Sequence, residues 1–217
     1  MMKPVLSEND KNLLEERITG AEAITGTQII LATVRRSDSY AEIPWKAFAL
    51  AASISGLLVF TLDLIPDSRI REIPFPVSIV SVLAVAAIVA MLTILIPKFA
   101  RLFLSGSRAE TETRQYAESL FLSRELFSTA RRTGILLLVS RFEHKVVIMP
   151  DIGLNGYVSK DDLEGVIALM KRPLAHGELR RAMEIALDEF IRIIKPLPAD
   201  QQAGNELPDT IIEAGGS

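Results

Sequence analysis

Two stretches of the chain are almost free of charge, while the rest mixes apolar and polar positions with recognisable periods. Pro76–Pro97, PVSIVSVLAVAAIVAMLTILIP, is 22 residues of apolar and small side chains with no ionisable group. Lys46–Ile65 is nearly as apolar, with Lys46 at one end and Asp63 near the other. About 20 such residues in a helix cross the ~30 Å hydrocarbon layer of a bilayer. A helix that is apolar on every face needs cover on every face, and the rest of the chain is too short to enclose two of them and also build its own core. Membrane spans are therefore expected at 46–65 and 76–97. The short polar connection from Pro66 to Phe75 makes them an antiparallel hairpin, with both flanking pieces on the same side of the membrane.

Outside these spans the periods are those of an α/β domain. Residues 7–24 read as an amphipathic helix, with Ser7 as N-cap, Asp10 as its acidic partner and Leu13, Leu14, Ile18 and Ala21 near one face. Gly26 stops it. Thr27–Val34 is short and rich in β-branched residues, so it reads as a strand. Glu110–Ala130 reads as a helix with Tyr116, Leu120, Phe121 and Phe127 toward a core. Gly134 then opens GILLLVSR, an apolar run without alternation, as expected of a strand covered on both faces. Phe142–His144 turns the chain, and Lys145–Met149 returns antiparallel. Two further helices are expected at 159–170 and 178–194, separated by His176-Gly177; the second is amphipathic through Leu179, Met183, Leu187, Phe190 and Ile194. The tail from Pro196 has no core-forming pattern and is expected to be disordered; the alternative is that ELPDTIIE is a short docking segment. Joining the outer pieces gives a β-α-β unit, whose crossover is interrupted by the hairpin. The fold class is α/β: a small α/β/α sandwich interrupted by a two-helix transmembrane hairpin. The domain is expected in two parts, 1–36 and 108–196, around an insertion at 37–107, with a flexible tail at 197–217.

Charge and composition narrow the function. There are 24 basic and 27 acidic residues, with no basic tail and no basic-aromatic interleaving, so nucleic acid is not an expected partner. Absence of cysteine excludes disulfides, thiolate nucleophiles and cysteine-based zinc sites. The opening MMKPVLSENDKNLLEERITGAEA is charged throughout and does not read as a signal peptide. Arg69 and Arg71 lie between the spans, whereas Arg35, Arg36, Lys46, Lys98, Arg101, Arg108 and Arg114 flank them. The positive-inside bias then puts both termini in the cytoplasm, in a multi-pass protein of the cell (inner) membrane. Tyr40 and Trp45 suit the interface near the first span. Ser53, Ser55, Gly56, Ser78 and Ser81 are small residues that permit close helix packing. No ionisable residue sits mid-span, so transport has no visible carrier.

Candidate chemistry is sparse. The sequence contains no phosphate-binding P-loop, HExxH or GxSxG. His144 and His176 fall in separate polar turns, where a histidine is ordinarily solvated. The best cluster is Arg132, Thr133 and Asp151: their strands are adjacent, and the ends could converge on a small anion or metal. The competing reading is that Asp151 caps the turn DIGLNG. Asp161 and Asp162 suit the first turn of their helix, and the pairs Arg131-Arg132 and Arg180-Arg181 suit solvent or anionic headgroups.

Three ordered motifs, AEAITGTQIILATV, RTGILLLVSRFEHKVVIMPDIGL and MKRPLAHGELRRAMEIALDEF, resemble the TPM domain family over residues 7–36 and 108–196. SDSYAEIPWKAF and NELPD resemble the bacterial branch in which two spans interrupt the domain. The resemblance implies an α/β/α sandwich. It also implies weak acid phosphatase activity or calcium binding in some members, and assembly or maintenance of membrane complexes in others. Many members carry Asp or Asn just before the strand-opening glycine, where this chain has Thr133; calcium is thereby disfavoured, and no cofactor, catalytic residue or metal ligand is assigned. The expected function is a membrane-anchored binding, assembly or maintenance module at the cytoplasmic face, with the lipid bilayer and another membrane protein as partners. The alternative is a weak metal-dependent acid phosphatase on the same fold, a phosphatase-type hydrolase.

Overall fold

The computed structural model describes residues 6–65, 73–129, 131–194 and 211–214. Helix α1 (Glu8–Thr25) starts where Ser7 Oγ accepts from the Asp10 amide and the Asp10 carboxylate accepts from the Ser7 amide; Gly26, at φ 70°, ends it. This reciprocal cap satisfies two donors that a helix start otherwise leaves orphaned. Leu14, Ile18 and Ala21 of α1 are buried, whereas Leu13, expected on the same face, is exposed. One residue of offset turns a helical side chain by about 100°, and Leu14 takes the core direction.

Strand β1 (Gln28–Val34) follows, and all seven of its residues are buried. The chain then runs through α2 (Glu42–Asp63), α3 (Phe75–Leu95) and the single turn α4 (Pro97–Ala100) before α5 (Gly106–Ser123). Strand β2 (Gly134–Ser140) lies parallel to β1 in a register that pairs Gln28 with Gly134 and Val34 with Ser140. Strand β3 (Lys145–Pro150) returns antiparallel to β2 and is half-buried along its length, as an edge strand should be. Helices α6 (Lys160–Ala175) and α7 (Leu179–Ile193) come next, and β4 (Ile212–Ala214) pairs in parallel with Ala32–Val34 of β1. The strand order is β3-β2-β1-β4.

The sheet is covered on both faces. Ile29, Leu31, Ile135, Leu137 and Val139 point to one side, where α1, α6 and α7 contribute Leu14, Ile18, Met170, Met183, Leu187 and Phe190. The alternate residues Ile30, Ala32, Val34, Leu136 and Leu138 meet Ala117 and Phe121 of α5 and Leu126. Period-2 alternation thus feeds two apolar layers, which is why the run in β2 shows no polar face. The arrangement is an α/β/α sandwich.

Three expectations need correction. Helix α5 ends at Ser123 and not near residue 130, because Glu125 takes a left-handed φ of 53° and Leu126–Ser128 form a 3-10 turn. That turn buries Leu126 and leaves Phe127 exposed, so Leu126 fills the core position expected of Phe127. Helix α6 runs to Ala175, with Pro173 in its last turn. The tail contributes a strand at Ile212–Ala214, while the rest of the expected disorder, at 197–210 and 215–217, lies outside the described residues.

Residues 1–38 with 110–217 form one compact unit and residues 39–109 a second. In the second, α2 starts at Glu42, ahead of the expected Lys46, because Pro44 fits the first turn, where a missing N–H costs little. Helices α2 and α3 pack on each other along stripes of half-buried and buried residues, Phe48, Ala52, Ser55, Val59 and Leu62 on one and Ser78, Val82, Ala86, Val89 and Thr93 on the other, with Ala86 and Thr93 buried. Ser55 and Ser78 are on those stripes, whereas Ser53 and Ser81 are exposed and donate to Ala49 O and Val77 O of their own helices, each at 2.8 Å. Both helices are long and apolar enough to cross a membrane. Trp45 is exposed but Tyr40 is fully buried, so Tyr40 is no interfacial ring. Arg69 and Arg71, with the rest of 66–72, lie outside the described residues.

Candidate functional site

The start of β2 and the end of β3 meet at one edge of the sheet, and the backbone there is tightly stapled. The Asp151 amide donates to Gly134 O at 2.8 Å, and the Gly153 amide donates to Arg132 O at 2.8 Å. Arg132 sits at a left-handed φ of 59°. A Cβ on Gly153 would lie 2.2 Å from Arg131 O and 2.5 Å from Arg132 O, so only glycine allows this approach. Gly134 is similarly constrained: a Cβ there would meet Leu126 O at 2.8 Å. The two glycines, read in the sequence as strand opener and turn former, hold the two chain segments in contact.

This backbone brings together two of the three expected residues. Arg132 Nε donates to Asp151 Oδ2 at 2.7 Å, and Arg132 Nη2 donates to Asp151 Oδ1 at 2.9 Å. The pair is a bidentate fork, the strong geometry for guanidinium and carboxylate. Asp151 is only 4% exposed, and its Oδ1 also accepts from the Ile152 amide at 2.8 Å, so it caps the following turn as well. The fork raises the Arg132 guanidinium above its ordinary value, chiefly through the hydrogen bond to Asp151. Phe127 places its ring centroid 5.9 Å from the guanidinium carbon. Arg132, assigned from the sequence to solvent or anionic headgroups, binds Asp151 while its side chain stays 43% exposed. Thr133 is buried; its amide donates to Thr129 Oγ1 at 3.2 Å, and its own hydroxyl has no hydrogen-bond partner.

The resemblance implied calcium in this region, and the residues present do not fit it. Both oxygens of Asp151 already serve the Arg132 fork, and a hard dication prefers six or more oxygen ligands. A cation here would have to displace a guanidinium from the carboxylate and then share the space with its positive charge. The arrangement suits holding two strands together, with the partly exposed guanidinium facing outward.

The opposite end of the sheet carries a polar cluster that sequence reasoning missed. Glu143 is buried; its Oε1 accepts from the Ser37 amide at 2.7 Å, and its Oε2 accepts a short hydrogen bond from Ser140 Oγ. Ser37 Oγ lies 3.1 Å from Ser140 Oγ and 3.4 Å from Thr113 Oγ1. Ser140 and Glu143 stand three apart around the hairpin turn, a local signal that was present. Ser37 is 106 residues away, and only the parallel register brings it there. The cluster fastens the chain just after β1, where it departs toward the inserted helices. The histidines remain apart: His144 is in the hairpin turn, and His176 Nδ1 is 2.9 Å from Arg172 O at the end of α6.

A mixed four-stranded sheet with helices on both faces, interrupted between its two central strands by a pair of apolar helices, defines an α/β/α sandwich with a helical insertion. The TPM domain family matches residues 95–193, from the end of α3 to the end of α7, with β1 outside the match. The NMR structure of BA42 protein, from the psychrophilic bacterium Bizionia argentinensis, shares the fold with a TM-score of 0.58 and 14% identity, over 98% of each chain. No curated protein matches the chain.

Proposed function

We propose that this TPM domain is a membrane-anchored binding module that serves the assembly or maintenance of a membrane-protein partner at the cytoplasmic face. The observation that carries the reading is the place of α2 and α3 in the chain. They are inserted in the crossover between two strands that pair with each other, with only residues 35–41 between β1 and α2. Helices seated in lipid would hold such a sheet at the membrane surface from within its own fold. The excess of Lys and Arg on the flanks of the spans supports the cytoplasmic side. The Arg132–Asp151 fork supports binding over hydrolysis, because phosphate-ester chemistry commonly relies on metals held by free carboxylates.

The test assays the detergent-solubilised chain and an Asp151→Ala variant on a generic phosphate ester with millimolar calcium or magnesium. No turnover by either protein is expected. Turnover that disappears in the folded variant would replace this reading with the phosphatase alternative.

A further inference from the structure

The tail strand β4 is attached to the sheet in the manner of a bound peptide. It pairs with β1 over three positions, Ala32↔Ile212 to Val34↔Ala214, and sixteen residues, 195–210, separate its segment from Ile194, the residue after α7. Its side chains use both faces of the sheet. Ile211 packs on the apolar layer of α1, α6 and α7, and Ile212 packs on the layer of α5. Glu213 is anchored by charge: its Oε1 accepts from the Leu6 amide at 3.1 Å. That amide lies just ahead of α1, where the helix dipole favours an anion, and Lys11 in the first turns of α1 also attracts Glu213. Beyond the reach of β4, the Ile29 amide of β1 is held by the Glu22 side chain, whose Oε1 accepts from it at 2.6 Å. Among the described residues, the outer edge of β1 is thus covered by three residues of tail and one carboxylate. Exposed strand edges are the usual templates for adding a further strand, with main-chain hydrogen bonds giving affinity and alternate side-chain pockets giving specificity.

We infer that the outer edge of β1 is a strand-addition site for an extended partner segment of the pattern apolar–apolar–acid, filled in this chain by its own Ile211–Glu213. The two apolar side chains select the faces of the sheet, and the acid selects the register through the Leu6 amide and Lys11. A longer partner segment gains further edge positions by displacing the Glu22 carboxylate from Ile29. The tail competes with it at the effective concentration set by its tether, so a partner engages when the tail is released or outmatched. This inference is independent of the anchoring role proposed above.

The probe is a labelled peptide, ELPDTIIEAGGS, titrated onto the full chain in detergent and onto a full-length Glu213→Arg chain, in which the tail loses its anchor. The opened chain should bind the peptide at least about tenfold more tightly than the wild type, and a peptide carrying the same Glu→Arg change should lose at least about tenfold, the size expected of a charge-assisted hydrogen bond. Equal binding to both chains, no binding to a folded Glu213→Arg chain, or indifference to the peptide's acid would overturn the site. A second arm keeps the question open to test should that variant fail to fold. A protease site placed within 198–204 is cut after folding, and excess unlabelled peptide should then chase out the cleaved tail. A tail released only when the whole domain melts is an integral strand, and the inference fails. Retention of the tail by a second copy, seen as dimers of the nicked protein that dissociate with peptide, would identify the partner segment as that of another copy of this chain.

Discussion

Strand β2 and helix α3 are made from the same kinds of residue and meet opposite surroundings. All seven residues of β2 are buried, with the α1–α7 layer on one side and the α5 layer on the other. In α3, Val80, Leu83, Ile88, Met91 and Ile94 are exposed, and only Ala86 and Thr93 are buried. Removing apolar surface from water is the main driving force of folding, and soluble monomers rarely leave so large a contiguous apolar patch uncovered. The sheet unit therefore supplies its own apolar solvent, and the hairpin asks for one from outside. Its helices share a narrow stripe with each other and leave most of their remaining apolar residues exposed. The difference separates a unit that covers its apolar residues with its own core from one that leaves most of them uncovered.

The strongest way to break this comparison is to remove one unit. The whole chain should resist carbonate extraction, and replacing residues 39–109 by a short Gly/Ser linker should leave a soluble domain with a cooperative thermal transition. The core of the sheet unit is composed of residues outside the excised segment, and the entropy of closing a loop changes only slowly with its length. An insoluble or non-cooperative product would mean that the hairpin contributes to folding the sheet, and the two regions could no longer be treated as separately stabilised.

A sharper version uses one residue type in both places. Leu137 is fully buried in β2, and Leu83 is 49% exposed on α3. Leu137→Ala should destabilise the sheet unit by about 2–5 kcal/mol, the range for truncating a buried leucine and leaving a cavity. Leu83→Ala should change it by less than about 0.5 kcal/mol, as for other substitutions away from a core. Denaturant unfolding in detergent, followed by a probe in the sheet unit, measures both. Comparable losses at the two positions would show that Leu83 has protein cover.

The features of the fold that were legible in the sequence are those with a local period or a local cap. The charge-free run of α3, the double-sided strand β2 and the apolar face of α7 each announce themselves within a dozen residues. The capping partners Ser7 and Asp10 mark the start of α1 at three residues' spacing. The features that escaped depend on distance or on one dihedral. Nothing around residue 125 signals that Glu125 will adopt φ 53° and hand the core position to Leu126. A three-residue strand such as β4 is too short to show a period, so its apolar pair could suggest docking but not a place on β1. Within the candidate site, the nearness of Arg132 and Asp151 followed from pairing β2 with β3. Their fork did not, because it needs the left-handed backbone at Arg132 and the missing side chain of Gly153. Glu143 and Ser37 share no local pattern at all.

The smallest expected effect compares two helix starts in each region. In the sheet unit, α1 and α6 open with reciprocal caps, Ser7 with Asp10 and Ser159 with Asp162, whereas α2 and α3 have no side-chain cap. Both aspartates are lowered from the ordinary value of 3.8, first by the hydrogen bond from the capping serine hydroxyl. A carboxylate with a depressed folded pKa contributes stability that is fully present above its unfolded value and is lost as pH falls through the folded value. Asp162→Asn should therefore lower the melting temperature slightly at neutral pH, and the gap from the wild type should close as pH drops below 3.8. Amide exchange read along the chain should show the accompanying loss of protection at the first turns of α1 and α6, and little change at those of α2 and α3. A gap that stays constant into acid would mean that the carboxylate's charge contributes nothing to the cap. Equal acid sensitivity at all four helix starts would remove the distinction between the capped and the uncapped ones.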